Sequence, residues 1–303
     1  MRVALMGLLT MRATESLAAV STLSQTRWLV VDFDGTCTER DTTPLLPKLA
    51  AMLCDDGDSV ERRISRFKEL ENEFVCLYAA AKNAMCSQTM TLCDALDTLD
   101  AVSKAVTEKV SQSGVLLGLG RYRSEDISRV IERDSEFGDH VRLRSGCVSV
   151  LAQAMSSWQL GVLSINWCPP LIDATLLQPI ARECMSSSTQ SVPIWCNSVD
   201  HNGVVSQQIS GALDKRAQIA KLKPSGLVVY VGDSTLDLAA LVEADVGILI
   251  GNSKSTTTIA EEWGIKVVPL NQWHFMEKGE TTRVIWMAES WSEIEKLLIY
   301  LTR

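Results

Sequence analysis

The stretch Trp28–Leu46, WLVVDFDGTCTERDTTPLL, carries four apolar residues straight into two aspartates one residue apart, and then into Gly-Thr. A short apolar run with β-branched residues has the length of a buried parallel strand. Asp32 and Asp34 then fall at its carboxyl end, where open α/β sheets place their ligand sites. Residues i and i+2 of a strand face the same way, so both carboxylates are expected to address one ligand, with Gly35 allowing a tight turn beside them. Like charges so close repel, and a bound divalent cation is one ordinary relief. Taken alone, the pattern also fits a strand ending in an Asp-rich turn.

Runs of similar length recur at LGVLSI, LVVYVGD, VGILIG and IKVVPL, with helical stretches between most of them. That alternation predicts an α/β fold with a parallel sheet. Residues 38–144 break the pattern: Ile64, Phe67, Leu70, Phe74 and Leu77 recur every three or four positions, and TLCDALDTLDAVSKAVTEKV continues as a second helix. The expected organisation is a core of residues 27–37 and 145–303 interrupted by a helical insert, 38–144. VPIWCNSVDHNGVVSQQISG reads as a hairpin-like extension turning at or beside His201-Asn202-Gly203, and ESWSEIEKLLIYL as a terminal helix packed on the core.

Three further stretches carry chemistry. VVYVGDSTLDLAAL places Asp233 at a strand end and Asp237 one helical turn later. Carboxylates from separate strand ends suit Mg²⁺, which takes one or two of them and keeps positions for water and phosphate oxygen. The plain alternative is helix capping by Asp233 or Ser234. LGVLSINW offers Ser164 and Asn166 as donors to a phosphoryl oxygen, although a serine at a strand end is more often a cap. Lys215, in GALDKRAQI, opens a helix eighteen residues before Asp233. A lone lysine there is ordinarily solvated, so its significance depends on the other pieces.

The 303 residues, 46% of them apolar, can bury a large core. A net charge of -8 argues against a nucleic-acid partner, which calls for a basic face. Nine cysteines without a Cys-x-x-Cys pair point to free thiols in a reducing, cytoplasmic setting and away from zinc. No apolar run approaches the roughly 20 residues that span a bilayer, so no membrane partner is expected. Residues 1–26 form an N-terminal extension whose Arg2 and Arg12 precede any acid. It reads as a weak mitochondrial targeting-like segment, a remnant of a longer gene product or a plain helix.

Together the four pieces resemble the haloacid dehalogenase superfamily, from about Trp28 to Pro269. The first motif of that family, Asp-x-Asp-Gly-Thr, matches Asp32–Thr36. Its Ser or Thr after a strand matches Ser164, its lysine matches Lys215, and its acidic motif matches Asp233 and Asp237. The slot that holds the family's C1 cap is filled by residues 38–144. The resemblance implies a Rossmann-like core and a Mg²⁺-dependent phosphomonoesterase. Asp32 would attack phosphorus and form an aspartyl-phosphate, and Asp34 would act as general acid and then general base. Mg²⁺ would be held by Asp32, the Asp34 carbonyl and Asp233, with Ser164 and Lys215 on the remaining phosphoryl oxygens. Gly35, Thr36, Asn166, Asp237 and Asp41 would support them. The second aspartate sets the chain apart from the carbon–halogen dehalogenases of the superfamily.

At segment level, VVDFDGTCTERDTTPLL, the long insert helices, LSINW and GDSTLDL are similar to the phosphatase domain of plant bifunctional thiamine-salvage proteins. Those fuse a TenA-type aminohydrolase ahead of a phosphatase acting on thiamine monophosphate. With about 26 residues before the first strand, the aminohydrolase activity is not carried over. The expected partner is thus a small phosphomonoester, thiamine monophosphate first, with a nucleotidase or phosphoserine-type substrate as the alternative and a noncatalytic binding protein as the rival from another class. Glu39, Asp41, Glu71, Glu73, Phe74 and Tyr78 are the insert residues available to hold a cationic ring, against the plainer reading that Phe74 packs the insert and Glu71 and Glu73 face water.

Overall fold

A computed structural model describes residues 26–53, 59–85, 89–184, 191–275 and 283–303. The first strand, β1 (Thr26–Val31), ends one residue before Asp32. A helical segment follows: α1 (Leu46–Leu53), α2 (Val60–Ala84), α3 (Leu92–Ser113), α4 (Ser124–Arg133) and α5 (Ser135–His140). Then come α6 (Cys147–Ala154), β2 (Gln159–Leu163), α7 (Pro169–Ile172), α8 (Gln178–Glu183) and β3 (Ile194–Trp195). A small hairpin pairs β4 (Ser198–Val199) with β5 (Val205–Ser206). The chain closes with α9 (Ala212–Leu222), β6 (Gly226–Gly232), α10 (Leu238–Glu243), β7 (Val246–Ile250), α11 (Lys254–Glu262), β8 (Lys266–Pro269), β9 (Val284–Ala288) and α12 (Trp291–Leu301).

Seven strands form one sheet in the order β3-β2-β1-β6-β7-β9-β8, with parallel pairing throughout. β1 is central, and the chain leaves it first toward β2 and later toward β6, so the strand order reverses at the end of β1. Alternation along the strands fills both faces. Leu29, Val31, Val229, Val231, Ile248 and Ile250 pack under α6, α8 and α12. Val30, Val228, Tyr230 and Leu249 pack under α9, α10 and α11. That two-sided burial is why the strands read as continuous apolar runs.

The segment between β1 and β2 has its own apolar cluster, with Leu46, Leu49, Phe67, Val106, Val110, Leu116, Ile127 and Phe137 buried in it. α2 starts on a Ser59 cap and α3 on a Thr91–Asp94 capping box. The ends of the segment meet at the base: Thr38 bridges Leu143, Glu39 N donates to Arg142 O, and Arg144 N donates to Cys37 O. The helical spacing of α2 holds, but Leu77 is 42% exposed rather than packed.

Two strands depart from the sequence reading. β9, VIWMA, inserts between β7 and β8 and moves IKVVPL to the sheet edge. Ile194–Trp195 joins the main sheet beside β2, and the hairpin is confined to residues 198–206 with its turn at His201-Asn202-Gly203. α12 packs Trp291, Ile294, Leu297 and Leu298 into the core as expected. Among the described residues no helix is long and apolar enough to cross a membrane. The N-terminal extension that motivated the targeting and remnant readings lies outside the described residues, except for Thr26.

Candidate active site at the carboxyl ends of β1, β2 and β6

Asp32 directly follows β1 and is 4% exposed; its amide donates to Val231 O of the neighbouring strand. Its Oδ1 lies 3.1 Å from Lys215 Nζ. That approach is an ion pair without hydrogen-bond geometry, so Oδ1 is a buried oxygen with no hydrogen-bond donor. Burial, opposed by Lys215, pushes the Asp32 carboxyl well above the usual range.

Asp34 is held from the other side. Oδ1 accepts from Thr42 N at 2.8 Å and Thr42 Oγ1 at 2.6 Å, and Oδ2 accepts from Asn166 Nδ2 at 2.8 Å. Burial, and next the charge of Asp41, raise its pKa to about 6 against the lowering effect of these donors. Asn166 is thereby committed: Nδ2 serves Asp34 and Thr42, and Oδ1 accepts from Cys168 N. The amide expected to face a phosphoryl oxygen orients Asp34 instead. Ser164 is fully buried, and its Oγ accepts from Asn166 N at 3.1 Å, leaving the hydroxyl hydrogen free to donate.

Asp237 is the most heavily bonded group. Oδ1 accepts from Lys215 Nζ at 2.7 Å and Tyr230 Oη at 2.6 Å. Oδ2 accepts from Ser234 N, Ser234 Oγ and Asp233 N at 2.9–3.2 Å. Burial would raise its pKa, but Lys215 and these donors hold it below the usual range. Lys215 is 1% exposed, and its two carboxylate partners outweigh burial and raise its pKa. The lysine that sequence alone leaves on a helix surface therefore points inward between Asp32 and Asp237.

Asp233 follows β6 and accepts from Thr36 Oγ1 at 2.9 Å; burial and then the Asp237 charge raise its pKa to about 7. The glycine between them is obligatory. Gly35 has φ +73°, and a Cβ there would sit 2.5 Å from Asp233 Oδ2. Arg144 Nε, from the base of the helical segment, donates to Gly35 O at 2.8 Å.

Asp32, Asp233 and Asp237 place ligand oxygens within 4.8 Å of one another. Since both Asp237 oxygens are saturated, the oxygens left for a cation are those of Asp32 and Asp233. A buried carboxylate oxygen with no hydrogen-bond donor, hard donors and three acids against one ammonium fit a small divalent cation such as Mg²⁺.

A cleft of about 230 Å³ opens beside the segments that carry Thr42 and Asn166, the hydrogen-bond partners of Asp34. Asp41 and Thr43 flank Thr42 there, and Ile165 and Trp167 flank Asn166, while Phe67, Glu71 and Phe74 come from α2. Of the insert residues considered from sequence, Asp41, Glu71 and Phe74 line it; Glu39, Glu73 and Tyr78 do not. Glu73 pairs with Lys109, and Tyr78 packs against the core. Trp167 and Phe67 were missed, as were Thr42, Tyr230 and Arg144. Tyr230 had one signal: a phenol in a buried strand needs a partner for its hydroxyl.

No family model matches the chain. It is 25% identical to the Arabidopsis thaliana protein named Bifunctional TH2 protein, mitochondrial, over 316 aligned positions that cover 88% of this chain and 48% of the relative. The chain thus spans about half the length of that curated relative. A solved structure titled as a phospho-aspartyl intermediate analogue of phosphoserine phosphatase aligns over 90% of this chain and 99% of its own, with 14% identity and a TM-score of 0.46. A Bordetella pertussis Tohama I protein of unknown function aligns over 78% and 96%, with 13% identity and a TM-score of 0.48. In motif order and in the architecture described above, the chain resembles haloacid dehalogenase-type phosphatases.

Proposed function

We propose that the chain is a Mg²⁺-dependent phosphomonoesterase acting through an aspartyl-phosphate on Asp32, with thiamine monophosphate as its substrate. The observation that carries this reading is the division between two adjacent aspartates. Asp32 keeps a buried oxygen with no hydrogen-bond donor, while Asp34 is fixed by three donors and holds a proton up to about pH 6. One is arranged to attack, the other to hand over a proton.

An Asp32 oxygen bonds to phosphorus as the bond to the leaving oxygen breaks, and Asp34 protonates that oxygen. Asp34, now ionised, takes a proton from water as the water attacks the phosphorus; the bond to Asp32 breaks and inorganic phosphate leaves. Lys215, aligned by Asp237, and Ser164 neutralise the phosphoryl oxygens. Asp32 and Asp233, with the Asp34 carbonyl, would hold Mg²⁺, whose role is to offset charge on the transferring group. Residues 27–37 and 145–303 supply this core, and 38–144 act as the cap.

The thiamine assignment is supported by the segment-level resemblance and by the likeness to the Arabidopsis protein. The test is phosphate release from thiamine monophosphate with and without Mg²⁺, beside a nucleoside monophosphate, phosphoserine and p-nitrophenyl phosphate. A metal-dependent preference for thiamine monophosphate is expected. Better turnover of the others removes the named substrate, and no turnover of any of them removes the enzyme.

A further inference from the structure

We infer that the cleft beside the Thr42 and Asn166 segments selects a leaving group that is a flat organic cation and rejects esters carrying a second negative charge, with Glu71 and Trp167 as the specificity-determining residues; this rests on the phosphomonoesterase reading. Glu71 is half-buried in the cleft wall and makes no hydrogen bond or ion pair among the described residues. Asp41, an exposed residue of the same lining, uses one oxygen on Thr43 N at 2.8 Å. No described lysine or arginine lines the cleft. Three cations of α2 and α3 are engaged elsewhere: Arg63 donates to Leu117 O, Arg66 to Ser113 O, and Lys109 pairs with Glu73.

Three aromatic rings stand among the aliphatic and polar groups of the remaining wall. Phe67 and Trp167 meet edge to face with centroids 6.4 Å apart, and Phe74 stands on the same helix face two turns on from Phe67. Ring faces attract cations, and a carboxylate in a partly enclosed cleft is screened less than one in open water. An anionic leaving group would meet two carboxylates there and no countercharge. Thiamine monophosphate meets the requirement, as do phosphate esters of other cationic ring alcohols.

Calorimetry separates this inference from the reading beneath it. Hydroxyethyl-methylthiazole and its N-methylated thiazolium differ by one methyl group and one charge, and neither needs to be turned over. On the native chain and on Asp32→Asn, the thiazolium should bind about tenfold or more tightly than the neutral ring, and added salt should narrow the gap. Glu71→Gln should largely abolish that preference, and Trp167→Leu should weaken the thiazolium with KM for the cationic ester rising more than kcat falls. Equal affinities for the two rings on the native chain, or a preference that survives Glu71→Gln, would overturn the inference. Selective cation binding without turnover of any phosphoester would leave the cleft assignment standing and remove the phosphatase; turnover without charge preference would do the reverse.

Discussion

Asp41 sits beside Thr42, whose amide and hydroxyl both donate to Asp34, and its charge helps burial keep Asp34 protonated up to about pH 6. In the proposed mechanism the protonated form serves the leaving oxygen. The first chemical step should therefore weaken as pH rises through about 6, where Asp34 ionises. Asp41→Asn removes a like charge, makes ionisation easier, and should move that falling limb to lower pH in a kcat/KM profile measured on an alkyl phosphate ester, whose leaving oxygen needs the proton. Asp32→Asn should cost turnover about 10³-fold or more. Its melting temperature should be unchanged or higher, because a neutral amide escapes the desolvation that raises the Asp32 pKa. Retained turnover would defeat the nucleophile assignment. At this scale the sequence was informative about Asp32, Asp34, Asp233 and Lys215, whose order along the chain is itself the signal. It was silent on Thr42, Arg144 and Tyr230, since nothing local says which threonine or arginine the folded chain brings to a carboxylate.

Helix α3 is tied to α9 through Asp100, which is 2% exposed and accepts from Ala212 N at 2.8 Å and Leu213 N at 3.0 Å. Those amides open the helix that carries Lys215, so the carboxylate caps it from another element. Gly211 is needed there for a steric reason: any Cβ would collide with the Asp100 carboxylate. Asp100→Ala should cost about 1–3 kcal/mol of stability, read from the denaturant midpoint. Asp100→Asn keeps one acceptor and should lose less; equal losses would mean the contact is not a cap. Periodicity made α2 and α3 legible because their apolar faces repeat over many turns. It failed for β3, which has two residues in the sheet, and for VIWMA, a short run among polar stretches. The Asp100 cap was out of reach altogether, because its partners lie 112 and 113 positions away.

Across the whole molecule, folding gathers Asp32, Asp233 and Asp237 around Lys215 from β1, β6 and α9. The unfolded chain scatters those groups, so the Mg²⁺ of the proposed mechanism would bind the folded state in preference. Mg²⁺ at about 100 times its Kd should then stabilise the protein by about 2.7 kcal/mol. The rise in melting temperature should reverse with a chelator and largely disappear in Asp233→Asn. An equal rise in that variant would place the cation elsewhere.

Strand runs, the helical segment and the order of the acidic motifs were written in the chain, because burial on both faces of a parallel strand and on one face of a helix leaves periodic traces in local sequence. The chain also held the first hint of the chemistry, two aspartates and a glycine where a strand ends. Only the tertiary structure decided that Asp237 serves Lys215 rather than offering a free ligand oxygen, that Asn166 holds Asp34, and that Trp167 and Glu71 share one cleft. Each of those facts is a pairing between distant residues in a dry interior, where a hydrogen bond or charge finds its partner by geometry that sequence spacing does not encode.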